Sequence, residues 1–273
     1  MPDLLRVKET WWKSLFGLGF HIFDLVAYDV LYRFSPASKL MFFNGGYLPI
    51  AEDFVKNDAY LDEEANAMMY HIVCKPLAAS KPKRILDVGC GLGGGLFYIA
   101  NFFKGIDLVG IDRNRRAVSL SNRRMRDYPN VKALRSSGDY LDFEDNSFDG
   151  LTSVGVVTYF GLTQFTKEAL RVVKPGAFIA FSGGYRQGDH DKIKAELRAA
   201  CKGLGKLVSY ENTTPNIFEC LKADIPRREA LLKRVPWPFS LYGRKWADLP
   251  GSAEYEEYER GLRADFLVVM QKI

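Results

Sequence analysis

Residues Lys83 to Leu96 read KRILDVGCGLGGGL. An apolar pair, Ile85-Leu86, follows two basic residues, and the run ends at Asp87. Glycines then occupy positions 89, 91, 93, 94 and 95, ahead of a helical stretch from Leu96 to Phe103. This order predicts a strand, a tight turn and a helix start. Glycine lets the backbone take positive φ and come close to a ligand. The helix behind it points free N–H groups at that ligand. The loop reads as the floor of a nucleotide-type pocket.

Two patterns fit the glycines. Gly89-x-Gly91-x-x-Gly94 satisfies a dinucleotide fingerprint, and Asp87-x-Gly89-x-Gly91-x-Gly93 satisfies a second, acid-led motif. Asp87 discriminates between them, because a carboxylate two residues before the first glycine repels a pyrophosphate and suits a cation. Downstream, Leu108-Val109-Gly110-Ile111-Asp112 predicts a second strand ending in an acid able to accept ribose hydroxyls. An acid at this distance also fits a dinucleotide fold, so Asp112 leaves both readings open. Ser137-Gly138-Asp139-Tyr140 and the run EDNSFDGLTSVGV lead into a fourth strand. RVVKPGAFIAF, Arg171 to Phe181, predicts a helix end, a Pro-Gly turn and a fifth strand.

DVGCGLGGG, VGID, GD with EDNSFD, and LRVVKPGAFIAF, in that order, resemble the class I S-adenosylmethionine-dependent methyltransferase family over about Pro82 to Ile273. The resemblance implies S-adenosylmethionine as cofactor. It implies that Asp87, Gly89, Gly91 and Gly93 line the methionine moiety, with Cys90 a small residue packed beneath. Asp112 would hold the ribose, Asp139 and Tyr140 the adenine, and Arg113 an adenine face; Val154, after strand four, joins the cofactor set. The implied fold is α/β, a Rossmann-like, doubly wound, seven-stranded, mostly parallel sheet.

Composition agrees. The chain has 273 residues, 47% of them hydrophobic, enough for one large domain with a cap. The net charge of +5 is mild. Six arginines between Arg113 and Arg126 could form a nucleic-acid patch. Ala117, Val118, Leu120 and Met125 give that segment an inward side, so a solvated helix face is the preferred reading. Four cysteines, at 74, 90, 201 and 220, form neither a CxxC pair nor a His/Cys cluster. We expect no metal, no disulfides and a cytoplasmic location.

The domain division expected is a helical N-terminal extension and lid, 1–81, then a core, 82–273, with 213–264 as a substrate-cap insertion between the last two strands. Trp11 to Phe34 has helical apolar spacing broken by Lys13, Asp24, Asp29 and Arg33, against a transmembrane span. A core-packed cap is preferred there, with a homo-oligomer interface or peripheral membrane contact as alternatives. Asn44-Gly45-Gly46-Tyr47 resembles a lid segment of small-molecule and lipid methyltransferases, which implies that Tyr47 reaches the methionine end. Leu48 stands where those relatives carry tryptophan. The insertion contains Ile217, Phe218, Leu221, Trp237, Phe239, Tyr242 and Trp246 and a charged helix over Ser252 to Arg263. This lining implies a bulky, lipophilic acceptor.

Methyl transfer needs the nucleophile held in line and, for oxygen or carbon, a base near neutral pH. Tyr159 stands where many relatives carry histidine, and it could orient an acceptor. His190 is the best-placed histidine, whereas His21 and His71 read as structural. The expected function is methyl transfer from S-adenosylmethionine to a small lipophilic metabolite or lipid, with oxygen or carbon favoured over nitrogen and nucleic acid disfavoured. The alternatives are an RNA methyltransferase, a nicotinamide-dependent oxidoreductase and a non-catalytic binder of S-adenosylmethionine.

Overall fold

The computed structural model describes residues 40–234 and 247–273. The N-terminal helix expected over 11–34 and the aromatics Trp237, Phe239, Tyr242 and Trp246 lie outside the described residues.

Seven strands form one sheet in the order β3-β2-β1-β4-β5-β7-β6. They are β1 Arg84–Val88, β2 Asp107–Asp112, β3 Val131–Arg135, β4 Phe148–Val154, β5 Val173–Tyr185, β6 Gly205–Asn212 and β7 Ala264–Lys272. β1 pairs in parallel with both β2 and β4. β7 is antiparallel to β5 and β6. This is the mostly parallel, doubly wound sheet expected from the motif order. The order reverses between β1 and β4, and ligands of such sheets bind beyond the carboxyl ends of the strands at that reversal. The glycine loop follows β1 directly, so it lands there.

Eight α-helices complete the described chain: α1 Glu64–Leu77, α2 Gly94–Phe102, α3 Arg115–Arg124, α4 Val157–Phe160, α5 Leu162–Val172, α6 His190–Cys201, α7 Thr214–Leu232 and α8 Ala253–Glu259. The central strands are buried on both faces, which explains their continuous apolar runs. One core cluster joins α1 and α2 to the sheet through Val73, Leu77, Leu96, Ile99 and Ile85. The other joins α5 and α6 through Phe165, Leu170, Leu197, Phe181 and Val268.

Two local expectations shift, and the arginine run forms the expected helix. The Pro175-Gly176 turn lies inside β5, which runs from Val173 to Tyr185 and bulges where pairing passes from Phe148↔Val173 to Gly150↔Phe178. The bulge absorbs the turn, since Gly176 takes φ +80° without ending the strand. The helix expected over 252–263 is shortened to α8, with Ser252 capping it by accepting from the Tyr255 N–H. The six-arginine run contains α3, which holds four of the six and whose Asn114 cap accepts from the N–H groups of Arg116 and Ala117. No helix among the described residues is long and apolar enough to cross a membrane.

Candidate functional site

The glycine loop is pinned across the end of β2. The N–H groups of Gly89 and Cys90 both donate to the Ile111 carbonyl, at 2.8 and 2.9 Å. Gly89 (φ +81°) is fixed by packing as well as by backbone, because a Cβ there would stand 2.4 Å from the Val156 side chain. Gly91 (φ +51°) differs: a Cβ there would meet nothing nearer than the Gly89 carbonyl at 4.0 Å. Its bare backbone therefore faces open space, as close ligand approach requires.

Two carboxylates flank this loop. Asp112 ends β2, and its oxygens accept from the Gly91 N–H (3.0 Å) and the Asn114 N–H (2.8 Å). Burial raises its pKa, and those two N–H groups oppose the rise. Each oxygen keeps lone-pair capacity for a further donor. Asp87, on β1, is fully buried. The Thr152 hydroxyl donates to its Oδ1 at 2.9 Å, while Oδ2 has no hydrogen-bond partner among the described residues. Burial first, then the nearby Asp112 charge, pushes the Asp87 pKa up to about 7 against the Thr152 bond. An orphaned buried carboxylate oxygen is costly, and a cationic ligand group would relieve it.

A cavity of about 150 Å³ lies against the loop, and Gly89, Cys90, Gly91, Asp112, Arg113 and Val154 line it. Those six sequence-predicted residues are brought together. Asp87 and Gly93 sit behind the lining, Gly93 against Ser121. Asp139 and Tyr140 are not on the cavity wall. The Asp139 carbonyl accepts from Gln164, and Tyr140 is 66% exposed beneath the Arg171 guanidinium. Ser136, Ser137 and Gly138 form that wall instead, with Phe160 as the aromatic. Gly138 belongs to that packing, since a Cβ there would fall 2.3 Å from the Phe160 ring. Sequence reasoning missed Phe160 because α4 brings it across from another loop.

A second cavity, about 670 Å³, adjoins the first. Phe42, Phe43, Asn44, Val154, Gly155 and Tyr159 line both. Its walls combine apolar residues, such as Leu40, Met69, Ile217 and Leu231, with charged ones. The 40–45 segment and α7 both contribute to its wall, and arginines tie them together. Arg228 bonds Asp224 Oδ2 (2.8 Å) and the Ala247 carbonyl, and it reaches the Asn44 and Gly45 carbonyls at 3.5 Å. Arg227 bonds both Asp224 oxygens and Asn66, and pairs with Glu63, which in turn accepts from the Met41 N–H. Arg124 reaches from α3 to the carbonyls of Leu92 and Leu40, joining the glycine loop to the same segment. No sequence pattern announced these residues, which work through contacts far apart in the chain.

Of the three residues expected near the chemistry, only Tyr159 lines the cavities, and it is 60% exposed there. The Tyr47 hydroxyl instead donates to Glu211 Oε1 at 3.1 Å. Burial and that carboxylate push its pKa up to about 12. His190 opens α6, with Nδ1 2.6 Å from the Tyr210 hydroxyl. Tyr185, from the same loop, does reach the larger cavity. Among the described residues no group of His, Cys, Asp and Glu could hold a metal ion.

Residues 86–181 match a family model described as a methyltransferase domain. A phthiotriol/phenolphthiotriol dimycocerosates methyltransferase from Mycobacterium ulcerans is 31% identical over 159 residues, 57% of each chain. A fatty-acid O-methyltransferase from Mycolicibacterium smegmatis is 26% identical over 85% of this chain and 84% of its own. The chain thus spans little more than half of the first relative's length and most of the second's. Geranyl diphosphate C-methyltransferase from Streptomyces coelicolor A3(2) superposes with TM-score 0.62 at 15% identity, covering 90% of this chain and 98% of that one. That likeness is one of fold.

Proposed function

We propose, for a chain that belongs to the class I S-adenosylmethionine-dependent methyltransferases, transfer of the donor's methyl group to a small lipophilic acceptor, a metabolite or lipid, at oxygen or carbon in preference to nitrogen. The carrying observation is the common wall of two cavities, one against the glycine loop and one large and partly apolar. A donor in the first and an acceptor in the second meet at Val154, Gly155 and Tyr159.

The residues present fit the donor. Gly91 offers an uncovered backbone, Asp112 has spare acceptor capacity for hydroxyls, and the orphaned Asp87 oxygen awaits a positive group. The bound sulfonium would supply an electrophilic methyl that needs no further activation. Asp87, behind the loop, would attract the cationic methionine end through space, with Gly89, Cys90 and Gly91 on the wall and Gly93 behind it. Asp112 would take the ribose hydroxyls. Arg113, Ser136, Ser137, Gly138 and Phe160 would enclose the adenine, with Asp139 and Tyr140 just beyond.

The chain's remaining task is placement. Holding the acceptor in line lowers the barrier by about 7–11 kcal/mol in favourable intramolecular cases. Tyr159, alone of Tyr47, Tyr159 and His190 on both cavity walls, is assigned to orient the acceptor. The 40–45 segment and the 213–264 insertion serve as the cap, clasped by Arg228. The lipophilic relatives support this acceptor class. The four buried, unpaired cysteines accord with a cytoplasmic enzyme.

Calorimetric titration with S-adenosylmethionine and S-adenosylhomocysteine, followed by labelled-methyl transfer to lipid extracts, tests the reading. Binding of both and label in an organic-soluble product are expected. Absence of binding by either, or label only in added RNA, would overturn it.

A further inference from the structure

The far end of the large cavity is polar, and the polarity is specific. Arg186, Arg227, Arg228 and Arg263 line it. These four guanidiniums already lie against six carboxylates, Glu63, Asp224, Asp248, Glu254, Glu257 and Asp265. Among the described residues these arginines are therefore outnumbered by the carboxylates they pair with. A carboxylate or phosphate head entering here meets no surplus of positive charge among the described residues.

One ion pair in this wall is incomplete. Asp265, at the start of β7, is 3% exposed and lines the cavity. Its Oδ1 accepts from Arg263 Nη2 at 3.0 Å. Its Oδ2 has no hydrogen-bond partner among the described residues, and neither has Nε of the same Arg263. The Tyr258 ring lies under the Arg263 guanidinium at 4.9 Å, and its hydroxyl approaches the Asp265 carboxylate without meeting the geometry of a hydrogen bond to Oδ2. Space for the pair is kept by Gly184, opposite Asp265 in the β5–β7 register, where a Cβ would stand 2.0 Å from Asp265 Oδ1. Asp248, also on the wall, makes no hydrogen bond among the described residues, and Arg228 Nη1 lies 4.0 Å away.

The vacant positions are thus one buried acceptor and one buried donor on a single ion pair. A hydroxyl both donates and accepts and satisfies both. A carboxylate only accepts, and an ammonium only donates. An orphaned buried polar atom is costly, so the group that satisfies it is selected strongly.

We propose that Asp265 and Arg263, with Asp248 beside them, read a hydroxyl on the acceptor, so that the acceptor is a neutral hydroxylated amphiphile whose hydrocarbon body lies along Met69, Ile217 and Leu231. The inference rests on the larger cavity being the acceptor site. Asp265 acts as a specificity residue and is not placed on the reacting atoms.

The test uses the full chain saturated with S-adenosylhomocysteine and three twelve-carbon probes, an alkane-1,2-diol, the fatty acid and the alkylamine, titrated in parallel. Failure of S-adenosylhomocysteine itself to bind would sink the methyltransferase reading; the comparison of probes is informative once it binds. The diol is expected to bind about tenfold more tightly than either charged probe. Asp265→Asn and, separately, Asp248→Asn should reduce that preference while leaving S-adenosylhomocysteine affinity unchanged. Asp248→Asn stands in if the buried variant does not fold. Equal or tighter binding of the fatty acid or the amine, or an undiminished diol preference in the folded variants, would overturn the proposal.

Discussion

Asp87 gives the sharpest test, because its burial sets folding against binding. Burial pushes its pKa up to about 7 in the folded chain, from the 3.8 of a free aspartate. A raised folded pKa means that this group's contribution to stability is fully present below about pH 4 and is lost as pH rises to about 7. At about 1.36 kcal/mol per pH unit, the complete loss is about 4 kcal/mol, of which about 3 falls between pH 5 and pH 8. Asp87→Asn keeps an oxygen for the Thr152 hydroxyl and has no charge to bury. Unfolding free energies measured in urea for both proteins at pH 5 and pH 8 should therefore diverge, with the wild type losing about 3 kcal/mol more than the variant. Donor binding should run the other way. From pH 5.5 to 7 the ionised fraction of Asp87 rises from about 3% to about 50%, so wild-type affinity for S-adenosylhomocysteine should gain about tenfold while the variant stays level. Parallel stability curves for the two proteins would refute the account of Asp87 as an uncompensated buried carboxylate. Parallel affinity curves would refute its role toward the ligand's cation.

Asp112→Ala should weaken S-adenosylmethionine binding by about 1.5–3 kcal/mol in calorimetry, the worth of hydrogen bonds to a charged acceptor; unchanged affinity would move the ribose elsewhere. Gly95→Ala places a methyl 2.1 Å from the Tyr70 ring, and thermal or urea unfolding should show a loss of about 1–3 kcal/mol from overpacking. Tyr47→Phe removes a hydroxyl that meets only Glu211 among the described residues. Turnover on any identified acceptor should then stay within about twofold of wild type and stability within about 1 kcal/mol; a large fall in rate would bring Tyr47 back to the active face.

The legible parts of the site are those built from adjacent residues. β1, the glycine loop and Asp87 form one continuous stretch, and Asp112 ends the next strand. Their geometry follows from local order and from the parallel sheet that local order implies. The glycines themselves were only half legible. Gly91 is bare toward the cavity, whereas Gly94 and Gly95 make room for the Met41 carbonyl and the Tyr70 ring, and GLGGG looks the same in either role. Asp139 and Tyr140 occupy a loop whose path depends on Phe160 packing over Gly138, a contact between segments some twenty residues apart. Arg227 and Arg228 belong to no sequence motif; the approach of residues 40–66 makes them structural. The Asp265–Arg263 pair was equally silent, since its position depends on register with a glycine on a neighbouring strand.

The Arg228 clasp has a consequence for how acceptor range can change over evolutionary time. The guanidinium holds carbonyls of Asn44 and Gly45 from α7, a helix nearly two hundred residues downstream. The two sides of the cavity are therefore inherited as a matched set. A recombination that exchanges the 213–264 segment while keeping residues 40–66 leaves the Asn44 and Gly45 carbonyls without their donor wherever the incoming helix lacks an arginine at that place. Such chimaeras should be selected against even where each half is sound, so diversification is expected to proceed by residue changes within the lining or by exchange of both segments together.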